Sequence, residues 1–269
     1  MEVAVVGHVE WIEFVRVDHA PAPGEIVQAT ERWEEAGGGG AVAAAELARL
    51  AGEATLFTAL GNDRLGTRAR EQLEAGGVRV EATTLDESQR RAVVFIDERG
   101  ERTITVLGAK QRPRGRDHSL PWHELAGARA VYFVSGDADA LRAARRARVL
   151  VATSRELQTL REGGVELDAV VGSGDDEGER LRPGELEPAP RLVVTTAGAL
   201  GGWAQPGGPY RGAEIPGPLE DAYGCGDCFA AGLTFALGDG LPAEEAIAFA
   251  ARCGAAALAR RGALGLPQR

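Results

Sequence analysis

"GGGGAVAAAELARLAGEATLFTALGNDRLGTRAREQLEAGG" (37–77) runs from helix to strand to helix without a break. Within it, "AVAAAELARLAG" (41–52) is built of helix formers and stops at Gly52, a residue free to take the left-handed turn that ends many helices. "ATLFTALG" (54–61) is a short apolar run, the pattern of a strand covered on both faces. "RLGTRAREQLEAGG" (64–77) is a second helix with a glycine stop. Four consecutive glycines at 37–40 would weaken any element they occupy. They read either as a close backbone approach to a ligand at a helix start or as a flexible connector.

The alternation extends in both directions. "VAVVG" (3–7), "RAVYFVSG" (129–136), "RVLVAT" (148–153), "DAVVGS" (168–173) and "RLVVTTAG" (191–198) are further strands, each followed by a turn or helix signal. This predicts a three-layer α/β fold, a mostly parallel central sheet with helices on both faces. Ligands of such sheets gather at the carboxyl ends of the strands. Two stretches differ: 9–35 alternates apolar and polar residues, and 89–106 reads as a hairpin turning at Glu98-Arg99-Gly100. Period-two alternation buries one face only, so segments 9–36 and 89–107 are expected to form a small antiparallel β lid on one domain spanning 1–269. No internal repeat or long linker interrupts the chain.

With 269 residues, 44% hydrophobic and 26% charged, the chain has the balance of a globular protein with a full core. No apolar run approaches the roughly 18 residues of a membrane span. The N-terminus carries Glu2 where a secretory signal carries basic residues, so no membrane partner and a cytoplasmic location are expected. A net charge of −10 argues against a nucleic-acid partner. "KQRPRGR" (110–116) reads as a solvated loop, and Lys110 is the only lysine in the chain. Cys225, Cys228 and Cys253 are too few for a disulfide framework, and the four histidines show no ligand spacing.

"DAYGCGDCFAAGL" (221–233) carries the chemistry. Gly224 and Gly226 leave the backbone open to a ligand. The N–H groups at the following helix start, backed by the helix dipole, make a pocket for anionic oxygens. Asp227 stands at that helix start, where the dipole is expected to favour its ionised form. A carboxylate beside an anion pocket can take a proton from a hydroxyl while the amides stabilise developing charge, which suits phosphoryl transfer to an alcohol. The plainer reading is a turn with Asp227 as a helix N-cap. The chain contains neither G-x-x-x-x-G-K-[ST] nor a correctly placed G-x-G-x-x-G.

These residues resemble the PfkB/ribokinase family of carbohydrate kinases. "DAYGCGDCFAAG" is similar to its C-terminal signature D-T-x-G-A-G-D-x-F-x-A-G, and 37–66 to its N-terminal signature, ending in "GNDRLG". "PAPGE" (21–25) resembles the lid turn, "TAGALG" (196–201) the nucleotide loop and "RRGALGLP" (260–267) the tail. The resemblance implies a ribokinase-like fold and an enzyme that moves the γ-phosphoryl group of ATP, with Mg2+, to a hydroxyl. It makes Asp227 the catalytic base and Gly224, Cys225 and Gly226 the anion hole. Thr196, Gly198 and Gly201 would hold the nucleotide. Ser173 and Asp176 fall where the family has N-x-x-E, so Asp176 becomes a magnesium-region carboxylate. Asp221 matches a residue associated with a monovalent-cation (K+) site.

The acceptor side departs from the family pattern. Glu10 stands where Asn is usual, Ile12 where the sugar-binding Asp is usual, Val42 for the Asn of G-A-N and Gly39 for a Lys. Gly37 and Gly38 remain, and Trp11, Glu10 and Arg90 are the distinctive side chains near the expected pocket. An unmatched buried hydroxyl costs about 1–3 kcal/mol, so ordinary ribose recognition is not expected. The leading expectation is a kinase for a small sugar-like molecule. A nucleoside kinase with Trp11 stacked on a base and a non-catalytic ligand-binding relative are the alternatives. A homodimer through the lid is expected by the same resemblance.

Overall fold

A computed structural model describes residues 2–265; the last residues of the tail motif (266–267) lie outside them. The chain begins β1 (Val3–Val6), β2 (Glu10–Arg16), β3 (Glu31–Gly37), α1 (Gly39–Ala51), β4 (Ala54–Gly61), α2 (Arg64–Ala75), β5 (Val78–Leu85). It continues β6 (Arg91–Ile96), β7 (Arg102–Leu107), β8 (Ala130–Phe133), α3 (Ala138–Ala144), β9 (Val149–Thr153), α4 (Leu157–Gly163), β10 (Ala169–Ser173). It closes with β11 (Val193–Thr196), β12 (Gly202–Gln205), β13 (Gly208–Tyr210), α5 (Cys225–Gly238) and α6 (Ala243–Leu258).

The main sheet has the order β13-β12-β11-β10-β9-β8-β1-β4-β5. It is parallel from β11 to β5, while β12 and β13 continue it antiparallel. The alternation of β1 shows why there are three layers. Val3 and Val5 enter a core shared with α1, α5 and α6, whereas Ala4 and Val6 enter one shared with α3 and α4. Both faces of a central strand are thereby covered, as a continuous apolar run requires. No helix among the described residues is long and apolar enough to cross a membrane.

The small sheet has the order β3-β2-β6-β7. Its two outer pairs are antiparallel, with the hairpin at the expected turn, and β2 and β6 join them in parallel. Alternation in β2 sends Glu10, Ile12 and Phe14 to one face and Trp11, Glu13 and Val15 to the other. Strand β7 departs from one-faced burial and is exposed throughout. A refinement concerns 110–116. Gln111 and Pro113 are buried, because Gln111 accepts from Arg90 N–H (3.0 Å) and donates to Ser88 O (2.9 Å). The segment is a loop as expected, with Arg112, Arg114 and Arg116 exposed, but it is pinned at Gln111 and Pro113.

Candidate active site

The site assembles where two glycine-led helices start. Gly224, the N-cap of α5, has φ 73°, a conformation costly for any residue with a Cβ. A Cβ there would also lie 2.7 Å from Val42 Cγ1. No side chain caps α5, and a Cβ on Gly226 would meet open space. First-turn amides of α5 therefore border a free volume at the positive end of the helix. Helix α1 is likewise uncapped by any side chain. Gly40 N–H donates to His8 O (3.1 Å), Gly38 N–H donates to the buried Tyr223 hydroxyl (3.0 Å), and a Cβ on Gly39 would come within 2.9 Å of Asp227 Oδ1. The four glycines are thus a close-packing device, with three of them bringing the backbone of α1 against His8, Tyr223 and Asp227.

Asp227 is the third residue of α5 and not its N-cap. Burial pushes its carboxyl up to about 6, against Arg155 and Arg102, which pull it down; Glu179 and Glu10 add to the rise. The expected preference for ionisation at the helix start is therefore outweighed by desolvation. Asp227 still ionises at neutral pH, yet holds a proton better than an exposed aspartate, as a general base should. Arg102, at the start of β7, donates to Ala222 O (2.9 Å) and ties the small sheet to this turn.

Beside Asp227, at the carboxyl end of β1, stand His8 and Glu10. His8 Nδ1 lies 3.1 Å from Ser135 Oγ. Burial, with Lys110, Arg90, Arg155 and Arg112 around it, holds His8 well below the usual imidazole range, so it is neutral. Arg90 Nε approaches Glu10 Oε1 at 3.0 Å, and burial pushes the Glu10 carboxyl up despite that partner.

Across the strand ends from β9 to β11 lies a second group. Ser173 N–H donates to Glu179 Oε2 (3.0 Å), and Glu179 pairs with Arg155. Arg155 also reaches Asp176 at 3.1 Å, and Asp176 Oδ1 accepts from Gly178 N–H (2.9 Å). Thr196 ends β11 beside an exposed turn at 198–200, where Gly198 has φ 53°. Gly201 is buried, and a Cβ there would overlap Tyr210 O. Two helix starts without side-chain caps, a buried carboxylate with raised pKa and a second acidic group some strands away lie along the carboxyl ends of the sheet, where open α/β sheets carry their binding cleft.

The whole chain, residues 1–269, matches the model of the pfkB family carbohydrate kinases. The chain belongs to this family. It is 33% identical to an ATP-dependent ribose-1-phosphate kinase of Halopiger xanaduensis, over 99% of this chain and 95% of that one. Its fold matches a ribokinase of Cryptococcus neoformans in complex with ADP, with TM-score 0.75, 24% identity and coverage of 98% and 95%. It matches an adenosine kinase of Sinorhizobium meliloti equally well, with TM-score 0.78, 22% identity and coverage of 98% and 97%. As a pfkB carbohydrate kinase the chain is an ATP-dependent phosphotransferase with an alcohol group as acceptor.

Within this pfkB frame the expected residues separate into groups. Asp227, Gly224, Cys225, Gly226, Gly38, Glu10 and Arg90 gather around the starts of α1 and α5, while Ser173, Asp176, Thr196 and Gly198 stand at and just beyond the carboxyl ends of β10 and β11. Ile12 is fully buried and packs on Gly37, and Val42 is closed over by Gly224, so these three shape the wall from behind. Trp11 is corrected: it points to the opposite face of the small sheet, buried with Arg68 over its ring at 4.3 Å. That removes the base-stacking surface assigned to it. Gly201 has no room for a side chain against Tyr210 and Gly212. Asp221 is fully buried, and its oxygens accept from Tyr223 N–H (2.9 Å) and Gly262 N–H (2.8 Å). These two bonds anchor the C-terminal tail. Sequence reasoning missed His8, Arg155 and Glu179. His8 was findable as the first polar residue after a buried strand; Glu179 lies three residues beyond the position the family pattern marks and carried no signal.

Proposed function

We propose that this pfkB kinase transfers the γ-phosphoryl group of ATP to a hydroxyl of a phosphorylated pentose, with ribose-1-phosphate as the first acceptor to test. The observation that carries the reading is the buried Asp227 with its raised carboxyl at a helix start without a side-chain cap, near His8, Glu10 and Arg90. The activity named for the full-length Halopiger relative supports the acceptor class. Ile12 and Val42 leave a neutral pentose without the polar partners a hydroxyl needs, whereas Arg90 suits an anionic one.

In this mechanism Asp227 takes the proton of the acceptor hydroxyl as its oxygen attacks the γ-phosphorus. The bond from that phosphorus to the β-phosphate oxygen breaks and ADP leaves. Amides of residues 224–226 face the charge that accumulates on the transferring group. Gly198 and Thr196 receive the nucleotide. No group of three or more acidic, His or Cys residues gathers among the described residues to hold a metal alone. The pair Asp176 and Glu179 nevertheless fits Mg2+, which usually takes one or two carboxylates plus substrate phosphates. Those two would hold the Mg2+ ion that accompanies ATP, and its charge would offset that of the phosphates. The small sheet serves as a lid, and its exposed outer strand β7 is the surface for a second copy.

The test is ADP release by the purified protein with Mg-ATP and a panel of ribose-1-phosphate, ribose, fructose and nucleosides. Turnover of the phosphorylated pentose at least tenfold above ribose is expected. Equal or faster turnover of ribose or a nucleoside would replace this reading.

A further inference from the structure

Lys110 is the only lysine in a chain whose other cationic side chains are arginines, and the mechanism above does not use it. Its Nζ lies 2.8 Å from Glu156 Oε1, and Arg112 Nη1 approaches Glu156 Oε2 at 3.6 Å. Glu156 is buried on the turn that follows β9, at the same edge of the sheet as the cleft. Between these two cations Gln111 accepts from Arg90 N–H. One tripeptide therefore braces the start of β6 on one side and the main sheet on the other. Lys110, Arg112 and Arg90 all stand within electrostatic reach of His8.

Arg90 supplies an independent sign of a missing partner. Its Nε and Nη1 are buried without any hydrogen bond, since Nε faces Glu10 at short distance but out of line. Buried donors left unmet are costly, and charged ones more so. Of the four cations around His8, Arg155 is matched by Glu179 and Asp176, which leaves Lys110, Arg112 and Arg90 to share Glu10 and Glu156, with His8 neutral. An oxygen-rich anion would supply both the missing charge and the missing acceptors.

We propose that Lys110, Arg112 and Arg90 form an anion subsite for the phosphate monoester that the acceptor already carries, with Glu156 holding Lys110 and Arg112 in place. The subsite rests on the phosphorylated-pentose reading above. Binding there orients the pentose with its far hydroxyl toward Asp227. The forked donors of Arg90 and the mobile ammonium of Lys110 share the phosphate oxygens.

Because Lys110 is the sole lysine, reductive methylation with formaldehyde and a borane marks only it and the N-terminal amine. Methylation of the wild-type protein is followed by mass spectrometry with ribose-1-phosphate, inorganic phosphate, ribose or ATP present. Kinetics of Lys110→Ala and Lys110→Arg accompany it. The expected result is protection of Lys110 by ribose-1-phosphate and, at higher concentration, by phosphate, but not by ribose. Lys110→Ala is expected to raise KM for the phosphorylated acceptor tenfold or more while moving KM for ATP less than twofold, and Lys110→Arg to recover most of the loss. Protection by ATP alone, or a rise in KM for ATP instead, would assign the cluster to the nucleotide and overturn the proposal. Unprotected labelling with an unchanged acceptor KM would reduce it to a structural ion pair. If the wild-type protein phosphorylates no pentose phosphate, the functional reading fails separately. In that case protection by inorganic phosphate still decides the subsite: present, it stands; absent, it falls.

Discussion

At neutral pH Asp227 carries its charge where burial makes charge costly, and that cost is what makes it basic. Its carboxyl rises from the ordinary aspartate value to about 6, so the folded state prefers the protonated form. Stability from this preference is fully present below the unfolded pKa near 4 and is lost as pH rises through about 6. Asp227→Asn keeps the neutral shape at every pH. It should stabilise the fold at pH 7.5 by about 3 kcal/mol and have no such effect at pH 3.5. Urea unfolding at the two pH values checks this. The same substitution should lower kcat by about 10²–10⁴, a trade of function for stability. His8 behaves oppositely, since burial and four surrounding cations keep it neutral across the working range; it adds no charge to offset theirs.

Elements show how much of this was legible beforehand. The run 37–77 announced α1, β4 and α2 because glycine stops and a continuous apolar strand are local signals. Strand β5 was silent, because its residues alternate irregularly between buried and exposed. Strands β12 and β13 are short and glycine-rich and owe their existence to pairing with β11. The turn at 224–226 was readable as an anion pocket, but its contact with Val42 of α1 depends on tertiary packing. That contact yields a test. Gly224→Ala must place a Cβ at positive φ, costing about 1–2 kcal/mol, and press it on Val42, costing about 1–3 kcal/mol more. Adding Val42→Ala should recover only the second part, a coupling that a double-mutant cycle in urea measures. The anchoring of the 110–116 loop was hidden for the same reason. Its composition is that of a loop, and only Gln111 and Glu156, distant in sequence, reveal that it is held.

The whole molecule sets a strongly negative chain, net −10, around a local excess of positive charge, Lys110, Arg112 and Arg90 against Glu10 and Glu156. Such a local field concentrates an anionic acceptor and is screened by salt. KM for a sugar phosphate should therefore rise severalfold between about 0.05 and 0.5 M KCl, while KM for a neutral sugar should not. On the outer side, β7 leaves a sheet edge unpaired with Ile104, Val106 and Leu107 each about 42% exposed, a surface of the kind that pairs with another copy. Sedimentation at micromolar concentration should show a dimer, and Val106→Lys a monomer; a monomeric wild type would remove the lid-to-lid assembly. In the proposed mechanism Asp227 receives the acceptor's proton from within the cleft. Its most direct measurement is the pH dependence of kcat/KM for ADP formation on the phosphorylated pentose, in wild type and Asp227→Asn. The wild-type rate should climb tenfold per pH unit below about 6 and level above it, and the variant should be at least 100-fold slower without that climb. A variant that keeps more than a tenth of the rate, or the same climb, would contradict it.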